Sequence, residues 1–211
     1  MKRVAKALLF AASLVPAVWL VRGMLTGDLG VNPAETIQLQ TGRWALRFLL
    51  ITLAVTPVRR LFHWNVVIQY RRMLGLFAFF YASLHFASYI VLDQYFAFDA
   101  MMTDVVKRPF ITVGFAAFVL MVPLALTSTK GWIRRLGRRW QLLHRLVYVS
   151  AICAVVHFIW KVKLVIGDPV LYAGILTVLL GYRIVRTIRL RMSSHPSTAA
   201  APIARPRGIS S

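Results

Sequence analysis

The chain has 211 residues, of which 59% are hydrophobic and only 15% charged, with a formal net charge of +20 and a mean hydropathy of +0.68. This composition excludes an ordinary soluble domain. The basic residues alternate with apolar runs instead of clustering, so membrane topology, not nucleic-acid binding, accounts for the charge.

Six apolar segments come near the ~20 residues that cross a bilayer as a helix. The first, 7–25, follows Lys2, Arg3 and Lys6. It has the outline of a signal peptide, but no small-x-small cleavage site follows, so it is read as a span. The second, 44–58, is short and has Arg43 and Arg47 at one end; the third, 73–92, carries His85. A loop at 93–109 leads to the fourth, 110–127. The fifth, 142–160, carries His144 and His157, and the sixth is 169–185. The runs are continuous and not alternating, which excludes a barrel. The expectation is an all-α six-helix transmembrane bundle over residues 1–192, with no usable internal repeat. Residues 193–211 are rich in Ser, Ala, Pro and Arg and are read as a disordered tail.

Charge orients the bundle. The six acidic residues, Asp28, Glu35, Asp93, Asp99, Asp104 and Asp168, all fall on one side of the predicted membrane, whereas 19 of the 26 basic residues fall on the other. The positive-inside rule places both termini in the cytoplasm. Trp19, Trp44 and Trp160 then mark the outer edge, and Trp64, Trp132 and Trp140 the inner one, as an aromatic belt does.

No carboxylate lies within a span, which removes the usual relay of a proton or cation transporter. Histidine remains. His85 and His157 share the outer depth on neighbouring helices, and two neutral imidazoles facing each other suit a heme iron with both axial positions filled. His144 lies 13 residues before His157, about 20 Å lower and turned by ~220° on a straight helix. An inner heme there lacks an obvious second histidine; Met73 is the nearest candidate, against an ordinary packing role. Gly75, Ala78 and Ala82 clear one face beside His85, and Ser150, Cys153 and Ala154 one beside His157, either for a flat macrocycle or for close helix packing. Cys153 is the sole cysteine, so a heme would be b-type, without covalent attachment. Arg43, Arg47, Lys161 and Lys163 are candidates for heme propionates, and Arg71, Arg72 and Arg145 for an inner site or a phosphate. The alternative is that these cations anchor lipid headgroups. His63 and His195 are read as solvated.

The strings Asn32-Pro33-Ala34-Glu35, Thr41-Gly42, Thr56-Pro57, Arg71-Arg72-Met73-Leu74-Gly75-Leu76 and Leu84-His85 resemble the MsrQ (YedZ) family of the ferric-reductase-like transmembrane group. So do Lys107-Arg108-Pro109-Phe110-Ile111-Thr112, Leu126-Thr127-Ser128, Trp140-x-x-Leu143-His144 and His157-x-x-Trp160. The resemblance covers about residues 7 to 185. It implies a multi-pass protein of the bacterial inner membrane that takes electrons from the quinone pool, or from a cytosolic flavin reductase, and passes them through heme to a periplasmic molybdenum-cofactor subunit, MsrP. That partner reduces methionine sulfoxide in oxidised proteins. His85, His144 and His157 match the family's heme-associated histidines. One heme b is implied, with a second left open. FMN is attributed to the family, but no flavin motif or quinone site is evident. Arg71 and Arg72 depart from the wider group, which carries two histidines on each of two helices. The rival readings are a cytochrome b anchor of another periplasmic oxidoreductase and a non-redox permease or assembly factor.

Overall fold

The computed structural model describes residues 2–162 and 167–193. Among these the chain is helical, with no strand: α1 (Lys2–Thr26), α2 (Pro33–Leu61), α3 (Arg71–Ser88), α4 (Phe98–Lys107), α5 (Pro109–Leu126), α6 (Lys130–Leu136), α7 (Arg138–Leu143), α8 (Leu146–Val162) and α9 (Asp168–Ser193). A 3₁₀ segment, Asn65–Tyr70, leads into α3, and a wide π turn, Tyr89–Asp93, leaves it.

Among the described residues, five stretches are long and apolar enough to cross a membrane: Arg3–Thr26, Asn65–Asp93, Pro109–Leu126, Arg138–Val162 and Asp168–Ser193. The expected second span is not among them, because Arg43 and Arg47 dilute the apolar run of α2. Yet α2 is the centre of the bundle. Its 29 residues extend for about 43 Å at 1.5 Å per residue, and it touches α1, α3, α8 and α9. Leu46, Leu49, Leu50 and Leu53 are buried along it, and Phe48 stacks on Tyr81 of α3 with ring centroids 5.4 Å apart. The helix starts where the sequence dictates. Pro33 occupies the first turn, where its missing N–H costs nothing, and the Asn32 side chain accepts a hydrogen bond from the Glu35 amide at 3.2 Å.

Apolar contact between helices gains little over contact with lipid tails, so close packing and interhelical hydrogen bonds must fix the arrangement. Three side chains make such bonds to a neighbouring helix. Pro16 interrupts the α1 ladder, and the Tyr81 hydroxyl enters the gap, accepting from the Ala17 amide at 3.2 Å and donating to the Ser13 carbonyl at 2.7 Å. Ser150 of α8 donates to the Ala117 carbonyl of α5 at 2.9 Å. Arg183 of α9 donates to the Leu53 carbonyl of α2 at 2.8 Å and to the Tyr148 hydroxyl of α8.

Several expectations shift. Residues 93–109 are not a loop but contain α4, with Asp104 paired to Arg108 at 3.0 Å. His144 lies outside α8, in the break between α7 and α8, so a straight-helix depth and rotation do not apply to it. Gly75 faces Thr52 of α2, Ala78 is fully buried in the core and Ser150 bonds to α5, so these small residues serve helix packing. Trp44 is half-buried against the core and tilted over Phe48, and Trp140 is half-buried and stacks on His144, so neither is a purely lipid-facing ring. Ser193 is the last residue of α9; the rest of the expected tail, with His195, lies outside the described residues, as does Lys163.

Candidate functional site

The two most extensive helix pairings, α2 with α3 and α5 with α8, each present one histidine to a shared cavity of about 420 Å³. His85 comes from α3 and His157 from α8, with ring centroids 6.0 Å apart and planes at 70°. Ala82 and Ala154, one turn before each histidine, line the same space, as do Phe86 and Phe118. Of the small-residue faces read from sequence, this is the part that borders the cavity.

Each imidazole is held by the neighbouring helix in the same manner. The Nδ1 of His85 lies 2.8 Å from the Gln38 carbonyl, and the Nδ1 of His157 lies 2.7 Å from the Phe110 carbonyl. A carbonyl can only accept, so Nδ1 carries the proton in both rings and Nε2 keeps its lone pair. Such outer bonds orient metal-ligating histidines. Room for each ring comes from a glycine one turn further along. A Cβ on Gly42 would stand 3.1 Å from the His85 ring, and one on Gly114 only 2.5 Å from Nδ1 of His157. In both pairs the carbonyl precedes the histidine by 47 residues. Gln38, Gly42 and His85-Phe86 thus recur 72 positions later as Phe110, Gly114 and His157-Phe158. Sequence reasoning missed this internal repeat, for which the paired glycines and the two His-Phe dipeptides were the available signal.

The pair fits a heme iron. The 6.0 Å between ring centroids would let both imidazoles hold one metal ion placed between them. Among the described residues, no group of three His, Cys, Asp or Glu side chains could hold a bare ion. Two imidazoles suit an ion whose remaining ligands come from a macrocycle.

The basic residues separate into distinct roles. Arg43 lines the cavity; its Nε is buried without a partner among the described residues, and its ion pair with Asp168 is long at 3.5 Å. That leaves donor capacity for a propionate. Arg47 spends its Nε on the Tyr172 hydroxyl at 2.8 Å and lies over the Trp44 ring, so it joins α2 to α9. Lys161 borders the cavity and lies over Phe110. Arg71 and Arg72 line no part of the cavity. Arg71 is instead within electrostatic range of His144 and of Arg183. His144 is absent from the cavity too: its Nδ1 donates to the Trp140 carbonyl at 3.1 Å, and its ring stacks on Trp140 at 3.8 Å. Met73 packs against the core. The structure therefore brings together His85, His157 and Arg43, and sets apart His144, Arg47, Arg71 and Arg72.

These features define a class: a multi-pass α-helical membrane protein with two imidazoles converging on one intramembrane cavity. The description "ferric reductase like transmembrane component" matches residues 41–155. Three relatives, each a protein-methionine-sulfoxide reductase heme-binding subunit MsrQ, extend the likeness to nearly the whole chain. The protein of Xanthomonas euvesicatoria pv. vesicatoria is 49% identical over 94% of both chains. That of Rhodospirillum rubrum is 50% identical over 90% of this chain and 92% of its own. That of Herminiimonas arsenicoxydans is 53% identical over 85% of this chain and 84% of its own. The chain belongs to the MsrQ family of the ferric-reductase-like transmembrane proteins. No solved structure matches it.

Proposed function

We propose that this chain binds heme b between His85 and His157 and carries electrons across the bacterial inner membrane to a protein-methionine-sulfoxide reductase. The observation that carries the reading is the facing imidazole pair, 6.0 Å apart, with each Nδ1 committed to a carbonyl and each Nε2 free. A heme b held there supplies reversible one-electron chemistry at its iron. Arg43 offers a donor to a propionate, while Ala82 and Ala154 leave width for a flat ring. Phe86, Phe118 and Met121 wall the cavity with apolar surface, which excludes water and favours the less charged state of a bound group.

The finer assignments rest on the family resemblance and on charge. With α2 as a sixth crossing helix, an even number of spans brings both termini to one side, and the basic loops make that side the cytoplasm. The histidine cavity then lies toward the periplasm, where Asp93 and Lys161 line both it and a neighbouring polar pocket that Glu35 also borders. The receiving partner is the periplasmic molybdenum-cofactor subunit MsrP; electrons enter from the quinone pool or from a cytosolic flavin reductase. An FMN phosphate, or an inner heme, would draw on the opposite end, where Arg71 stands within electrostatic range of both His144 and Arg183. Arg72 adjoins Arg71 in sequence.

The test is a reduced-minus-oxidised visible spectrum of purified protein. His85→Ala and His157→Ala should each abolish most of the low-spin b-type signal, because each removes one of the two imidazoles that would hold the iron. An unchanged spectrum in both variants would overturn the assignment.

A further inference from the structure

The geometry assigns α4 to the membrane surface, as a helix that caps the histidine cavity while its exposed apolar stripe rests in the headgroup–acyl boundary of the adjacent leaflet. This inference does not depend on the heme reading. Three stripes run along the ten residues of α4. Met101 and Val105 turn inward and line the cavity, and Met102 borders it from the edge while staying largely exposed. Phe98, Met102 and Val106, four residues apart, are 64%, 66% and 79% exposed. Asp99, Thr103 and Lys107 form the third stripe, which is exposed and polar. At about 100° per residue the apolar stripe points about 80° from the inward one, and the polar stripe about 180° from it. A helix laid over the edge of a bundle needs this arrangement: protein below, water above, lipid to the side.

The orientation is fixed by a clasp. The Asp104 carboxylate accepts from Tyr89 at 3.4 Å and Gln94 at 3.1 Å and pairs with Arg108 at 3.0 Å, which ties α4 to the end of α3 and the start of α5. The segment entering α4 points the same way. Tyr95 and Phe96 hold φ of 47° and 63°, a left-handed conformation that bulky residues avoid, and both remain exposed. An aromatic pair strained outward at the end of a span gains from the interfacial layer, where aromatic rings concentrate. Lipid is the occupant on grounds of continuity. The chain leaves one candidate span at Asp93 and enters the next at Pro109, so α4 starts and ends at the bilayer edge. The apolar exposure continues down α5 through Phe115 and Val119.

The experiment uses the full chain in phosphatidylcholine–phosphatidylglycerol vesicles. In a Cys153→Ser background, nitroxide labels are placed singly by Phe98→Cys, Met102→Cys, Val106→Cys, Asp99→Cys, Thr103→Cys and Lys107→Cys. The ratio of collisions with oxygen to collisions with a water-soluble nickel chelate should be several-fold higher at the first three sites than at the last three. Equal ratios would overturn the proposal. Shielding of the apolar stripe only when a soluble methionine-sulfoxide reductase is added would also overturn it, making this face a protein-docking surface. Hydroxyl-radical footprinting of the unsubstituted protein gives an independent reading: lipid-covered Met102 should oxidise no faster than half-buried Met101. Oxidation of Met102 several-fold faster than Met101 would count against lipid contact.

Discussion

Replacing Gly114 by alanine should damage the site without touching a ligand. The added Cβ would stand 2.5 Å from Nδ1, 2.8 Å from Cε1 and 2.9 Å from Cγ of His157, whereas heavy atoms settle at about 3.5–4.0 Å. The ring must therefore retreat by about 1 Å. Its 2.7 Å bond to the Phe110 carbonyl would stretch past hydrogen-bonding range. Loss of such an orienting bond costs about 10–100-fold in metal-site affinity. Alanine is favoured over glycine inside a helix by about 1 kcal/mol, so global stability should fall little or even rise. The assay is heme titration of apoprotein in detergent, with thermal unfolding in parallel. Gly114→Ala should weaken heme binding by about 10–100-fold and distort the low-spin spectrum. At Gly42 the Cβ would lie 3.1 Å from the His85 ring, which can give by tenths of an ångström, so Gly42→Ala should cost less than tenfold. Gly174→Ala, with nothing within 4 Å, is the control and should behave as wild type. Wild-type affinity and spectrum in Gly114→Ala would refute the account of how His157 is held.

Three further outcomes are expected. His144→Ala should lower electron entry or any inner heme content while sparing the signal from the His85–His157 pair, since His144 lies outside that cavity; loss of all heme would sink this separation. Tyr81→Phe should leave the Ala17 amide and the Ser13 carbonyl unpaired beside Pro16, destabilising α1 by about 1–3 kcal/mol; amide exchange should accelerate around Pro16, and unchanged exchange there would show that the hydroxyl does not seat the helix. In proteoliposomes with reduced quinone, a molybdenum-cofactor subunit and a methionine-sulfoxide substrate added on the histidine side should reoxidise the heme. Reoxidation only by an acceptor on the arginine-rich side would reverse the proposed direction.

How far the sequence could lead depended on which atoms did the work. The shared depth of His85 and His157 was readable because apolar runs fix depth and a helix rises steadily along each run. The apposition of the rings was not, since the Gln38 and Phe110 carbonyls that orient them belong to the backbone and leave no side-chain signature. Gly42 and Gly114 were visible as letters but not as clearances, because a glycine in a helix has many uses. Charge misled in a consistent way. Arg43 and Arg47 look equivalent along α2, yet one faces the cavity with a free Nε and the other bonds Tyr172, a distinction set by the phase of the helix against its neighbours. The same two arginines dilute the hydropathy of α2, the helix most enclosed by protein. A bundle core can tolerate intramembrane cations that a lipid-facing helix cannot, because it supplies aromatic faces, hydroxyls and carboxylates to receive them, as Trp44, Tyr172 and Asp168 do here. The low hydropathy of α2 therefore follows from its central position, and it is consistent with α2 crossing the membrane among the other five spans.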